Sequence, residues 1–143
     1  SGSLTLPATT EVDMPYLGLT SIFFIGNPQF SVTSSGSTTG LRAAVPSAVG
    51  TFVVQVTLVA NKTDDTQQKA TTLSRCFTYD GTTVLAVAAT VETVIGASGT
   101  FDGTYSLNAG TGGTTGANTW NVLVSNSGGG SFDWKMQENV VYV

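Results

Sequence analysis

Phe52-Val53-Val54-Gln55-Val56-Thr57-Leu58-Val59-Ala60 is the stretch on which the fold turns. Phe52, Val54, Val56, Leu58 and Ala60 take one face, while Gln55 and Thr57 lie on the other. Successive side chains of an extended chain point to opposite sides of a sheet, so a period of two describes a strand with one buried face. Val and Thr, which are stiff at χ1 and fit a pleated surface, reinforce the reading.

The pattern recurs on both sides of this stretch. Downstream, Asn61–Gln68 is polar and reads as a loop. Residues 71–79 then resume the alternation, with Leu73, Phe77 and Tyr79 on one side and Thr72, Ser74, Cys76 and Thr78 on the other. Asp80-Gly81 signals a hairpin, because glycine takes positive φ without a Cβ clash. A strand is predicted from Thr83 to about Val91, extended by Val94-Ile95 and broken at Gly96 and Gly99. Residues 101–107 read as a short strand and 108–118 as a glycine-rich loop. Trp120, Val122 and Val124 restart the alternation before a glycine turn at Ser125–Ser131. The last strand, Phe132–Val143, places Phe132, Trp134, Met136, Val140 and Tyr142 on one face. Upstream, residues 20–25 form a strand ending at Gly26-Asn27-Pro28, Gln29–Thr33 is its expected returning partner, and residues 34–40 read as a loop.

About eight short strands without a helix signal predict an all-β protein, an antiparallel β-sandwich of jelly-roll-like form. Residues 20–143 make one sandwich domain, as the 143-residue length suggests. Residues 1–19 are interrupted by Pro7, Pro15 and Gly18 and read as an extended N-terminal arm or a pairing edge segment. The similar pentapeptides Thr78-Tyr79-Asp80-Gly81-Thr82 and Thr100-Phe101-Asp102-Gly103-Thr104 read as two similar turns, not as a duplicated module.

Composition narrows the function. The chain is only 10% charged, with a net charge of −4. Its five basic residues, Arg42, Lys62, Lys69, Arg75 and Lys135, form no cluster in sequence. That argues against nucleic acid, which needs a basic face, and against a polybasic patch for anionic lipids. The longest apolar run, Val84–Ala89, is far short of the ~20 residues of a membrane-spanning helix. The N-terminal residues carry no basic segment followed by an apolar one, so no signal peptide is expected. Cys76 is the single cysteine, which precludes an internal disulfide and fits assembly in a reducing cytoplasm.

Catalytic constellations are missing from the sequence. Without histidine there is no Ser-His-Asp or Cys-His arrangement and no imidazole for a metal. Cys76 has no base to activate it and reads as structural. A glycosidase needs two opposed carboxylates. Of the nine acids, Asp80 and Asp102 are explained by turns, Asp64-Asp65 sit in a polar loop, and Asp133 and Glu138 point to opposite faces of one strand. Glu138 interrupts an apolar face. It is expected either to meet solvent near a bend or to pair with Arg75, the odd charge on the apolar face of residues 71–79. The segment Gly110–Gly116 lacks the lysine and following helix of a phosphate loop. Calcium could draw on Asp64, Asp65 and nearby threonines, but no EF-hand spacing is present. The expectation is a non-enzyme without metal or cofactor. For a sugar-binding face the candidates are Trp120 and Trp134, with Tyr16, Tyr105 and Tyr142. Both tryptophans share a strand face with apolar neighbours, which favours core packing over an exposed stacking platform. No ligand-binding residue is assigned.

The second half of the chain resembles a recurrent C-terminal β-domain of tailed-bacteriophage tail-fibre and other virion structural proteins. The likeness is carried by Gly50-Thr51-Phe52-Val53-Val54-Gln55-Val56, Lys62-Thr63-Asp64, Cys76-Phe77-Thr78-Tyr79-Asp80-Gly81, Trp120-Asn121-Val122-Leu123-Val124, Phe132-Asp133-Trp134-Lys135-Met136 and Val140-Val141-Tyr142-Val143. It spans residues 45–143; residues 1–44 match no known pattern. The resemblance implies a non-enzymatic protein on the outside of the virion, assembled in the host cytoplasm and often trimeric. Such proteins decorate the capsid or form fibre heads that touch the host. No shaft repeat appears, which leaves an excised fibre tip or a small decoration protein, and the short chain with its N-terminal arm leans the expectation towards a capsid decoration protein contacting neighbouring virion proteins. The alternative is a carbohydrate-binding receptor-recognition module, an adhesin or fibre tip that holds a host surface glycan.

Overall fold

A computed structural model of the chain describes residues 9–14, 19–25, 27–110 and 116–143, with side chains from residue 27 onward. All its regular structure is antiparallel β. The strands are β1 (Thr9–Met14), β2 (Leu19–Ile25), β3 (Gln29–Ser34), β4 (Thr39–Ala44), β5 (Gly50–Lys62), β6 (Gln68–Tyr79), β7 (Val84–Ala86), β8 (Val91–Ser98), β9 (Gly103–Ala109), β10 (Trp120–Asn126) and β11 (Phe132–Tyr142). Strands β3 to β11 build two sheets that face each other as a sandwich. The larger runs β3-β11-β5-β6, with β7 and β8 both paired to the far side of β6, and the smaller runs β4-β10-β9. The early strands β3 and β4 pair with the late strands β11 and β10. This nesting of chain ends gives the jelly-roll-like character, while β5, β6 and β8 follow one another as a meander.

The alternation on β5 is realised as read: Phe52, Val54, Val56, Leu58 and Ala60 are buried and the residues between them are exposed. They meet Leu107 of β9, Trp120, Val122 and Val124 of β10, and Phe132, Trp134 and Met136 of β11 in one core. The Asp80-Gly81 turn closes as expected, with Gly81 at φ 96° and Asp80 Oδ1 accepting from the Thr82 and Thr83 amides.

Three expectations are corrected. Gln29–Thr33 does not return on residues 20–25. It pairs with β11, Trp134 opposite Val32, and β2 pairs instead with β1, Thr9 opposite Ile25. The strand predicted over 83–91 breaks at 87–90 rather than at Gly96. Arg75 Nε donates to the Ala88 carbonyl at 2.7 Å in that break, and the ladder resumes through Gly96, where a side chain would meet nothing within 4 Å. The loop assigned to 34–40 ends at Ser37-Thr38, since Thr39-Gly40 already belong to β4. That strand was not foreseen, because Thr-Gly-Leu-Arg-Ala-Ala does not alternate and its ladder to β10 shifts register at Val122/Leu123.

The two pentapeptides also differ. Asp80-Gly81 is a turn. Asp102-Gly103 enters β9, and Gly103 is small because an added Cβ would lie 2.5 Å from the Phe101 ring and 2.8 Å from Trp134.

Candidate functional site

The charged residues show where the two sheets are tied. Arg42 on β4 reaches across to β11, its Nη2 and Nε donating to Glu138 Oε1 and Oε2 at 2.9 and 3.1 Å. Its guanidinium lies 4.2 Å from the centre of the Phe30 ring. Glu138 therefore neither meets solvent nor pairs with Arg75. Arg75 projects from β6 to β9, where Nη1 donates to the Leu107 carbonyl and to Asn108 Oδ1. Lys62 faces Asp102 at 3.8 Å, and Asp102 also accepts from Gln67 Nε2. Of the five basic side chains, only Lys135 stands on an outer sheet face, between the buried Trp134 and Met136.

One such tie lies open to solvent. Along the margin of the sandwich, Glu92 of β8 faces Tyr105 of β9, with Lys69 and Thr71 of β6 beside them. Glu92 Oε1 accepts hydrogen bonds from the Tyr105 hydroxyl and from Thr71 Oγ1, the latter at 2.9 Å, and Lys69 Nζ stands 3.6 Å away. The Tyr105 hydrogen bond, then Thr71 and the Lys69 charge, hold the Glu92 carboxyl below the usual glutamate range. Burial, and the loss of that hydrogen bond on ionisation, push the Tyr105 hydroxyl up. Its interaction with Tyr105 foremost, and the charge of Glu92 after it, raise Lys69. A groove of about 200 Å³ opens here between the sheets, lined by Leu73, Thr90, Glu92, Tyr105, Ser106 and Leu107. An ionised carboxylate, hydroxyls and one aromatic ring suit hydrogen bonding to a polyhydroxyl ligand.

Most residues singled out from sequence lie elsewhere. Trp120 and Trp134 are each 1% exposed and belong to the core, as their strand faces indicated. Trp134 Nε1 donates to Ser34 Oγ at 2.8 Å, and Ser34 in turn donates to Asn126. Tyr142 stacks on Phe52, its hydroxyl accepting from the Ser47 amide. Tyr16 lies outside the described residues. Asp64 accepts from the Thr66 hydroxyl and amide, which lowers its pKa, and Asp65 accepts from Asn61. Asp102, read as a turn residue, instead binds Gln67 and caps the Ser127 amide through its carbonyl. Cys76 is half-buried. The Glu92 cluster was not singled out. Its one sequence signal is an acid inside the apolar run Val91-Glu92-Thr93-Val94-Ile95.

The class of molecule is thus an all-β sandwich in which four of the five basic side chains, Arg42, Lys62, Lys69 and Arg75, reach between the sheets. No family model matches the sequence, and no curated protein matches it significantly. Among solved structures, the tailspike protein of Acinetobacter phage vB_ApiP_P1 is similar over 78% of this chain and 22% of its own, with 18% identity and a TM-score of 0.37.

Proposed function

We propose that this chain is a non-enzymatic structural domain on the exterior of a tailed-phage virion, a capsid decoration protein or fibre head, assembled as a homotrimer against neighbouring virion proteins. The sequence resemblance over residues 45–143 supports the class. One observation carries the mode of action: the outer face of β5 and β6 presents Val53, Gln55, Thr57, Val59, Ala70, Thr72 and Ser74 without a charge, while Arg42, Lys69 and Arg75 are spent on contacts between the strands. Such a module works by docking a rigid flat surface. Labelling intact particles with an antibody against the chain and viewing them by electron microscopy tests the reading. Label on the shell or tail is expected, and particles that carry none overturn it.

The groove at Glu92 and Tyr105 favours a second reading, a receptor-recognition module that holds a host surface glycan. With both tryptophans buried, the sugar would be held by Glu92 and neighbouring hydroxyls rather than on a tryptophan platform. A glycan array is expected to give hits that Glu92→Gln abolishes; an array without hits counts against it.

A further inference from the structure

Strand β8 is an edge that lacks the usual guards. All eight of its residues are exposed, with Val91, Val94 and Ile95 at 64%, 52% and 62%. Among the described residues it pairs with β6 alone. Edge strands are normally protected by lysine, proline, shortness or cover. This one carries neither lysine nor proline, is longer than the mean strand, and has one bulge at Ile95 as its single irregularity. Its one charge, Glu92, is turned towards Thr71 and Tyr105.

The adjoining face continues the same character. By register, Val91, Thr93 and Gly96 stand beside Ser74, Thr72 and Ala70, which stand beside Gln55, Thr57 and Val59. A shallow depression of about 290 Å³ lies across Val59, Ala70 and Gly96. The outward charges Lys135 and Asp133 on β11 bound it, Lys135 directly opposite Val59. Eight residues by three strands make a strip of roughly 26 Å by about 14 Å, or about 370 Å² in projection. That is the size of a weak contact, below the roughly 600 Å² per partner of a small specific interface, so backbone pairing along the β8 edge has to add to it.

We infer that β8 and this strip are where copies of the chain meet. The occupant follows from charge. Two copies that each carry −4 repel unless they approach through surfaces without charge, and this strip is such a surface. A partner recognised by opposite charge would find nothing here to pair with. Symmetric association of identical chains uses one self-complementary patch, or two adjacent parts of it around a ring. The inference rests on the oligomeric part of the proposed function and names its surface.

Sedimentation velocity of the full chain, with Ile95→Lys, Val91→Lys and the control Gln29→Lys on the opposite edge strand, tests it. The unsubstituted chain and Gln29→Lys are expected to sediment as one multimer. The two β8 variants should keep the β circular-dichroism spectrum and associate at least tenfold more weakly. Multimers unaffected by both β8 substitutions overturn this surface and leave the homotrimer standing. A monomeric unsubstituted chain overturns both. Should the variants misfold, hydrogen exchange of the unsubstituted chain decides: β8 amides that gain protection with concentration support the contact, and amides indifferent to concentration overturn it.

Discussion

Arg42 and Glu138, 96 residues apart, close on each other from opposite sheets, with two hydrogen bonds of 2.9 and 3.1 Å. The Glu138 side chain is only 6% exposed, so its charge depends on this partner. Removing one member of a buried pair strands the other. Arg42→Met should therefore cost about 2–4 kcal/mol in urea denaturation, whereas adding Glu138→Leu to it should recover most of that loss. Equal destabilisation by the single and double changes would show that the pair is not what holds this margin.

Gly103 separates close packing from turn geometry. Gly103→Ala drives a Cβ against Phe101 and Trp134 and should destabilise by about 1–3 kcal/mol. Gly40→Ala meets nothing within 4 Å and should be neutral or stabilise by up to about 1 kcal/mol. Thermal melts of the two variants check the contrast.

The buried chain of hydrogen bonds from Trp134 through Ser34 to Asn126 has a spectroscopic consequence. Trp120 and Trp134 should emit at shorter wavelength than free tryptophan and resist iodide quenching. Ser34→Ala leaves the indole N–H without its acceptor and should cost about 1–3 kcal/mol in denaturant titration, with the emission still blue-shifted.

Glu92, Tyr105 and Lys69 set limits on both sides of neutral pH. The Glu92 pKa is lowered on folding, so its contribution is complete above the ordinary glutamate value of about 4.3 and is lost as pH falls through and below it. Tyr105 and Lys69 are raised, so theirs is complete below about pH 10 and is lost as pH climbs past it. Melting temperature against pH should fall at both ends. Glu92→Gln should flatten the acid limb specifically; an acid limb unchanged by Glu92→Gln would remove the carboxylate from this account.

How much could be read beforehand depended on which side chains were asked about. Phe52–Ala60, the Asp80-Gly81 turn and the burial of both tryptophans were legible, because alternation and turn chemistry are local. Strand β4 was not, since Thr39–Ala44 owes its extended form to β10 and not to its own pattern. The break at 87–90 was placed wrongly because its stabiliser, Arg75, is a dozen residues upstream. The Glu92 cluster was invisible for the same reason: its members come from three strands.

The amino-acid order by itself determined that the chain forms strands and which face of each is apolar, because a period of two acts between neighbours along the backbone. Only the tertiary structure decided that Arg42 rather than Arg75 answers Glu138, that Gln29–Ser34 joins β11, and that β8 is left as an edge. Those outcomes depend on which strands lie side by side, and sheet pairing brings together residues more than a hundred positions apart, such as Gln29 and Gln137, whose affinity for one another leaves no periodic trace in the sequence.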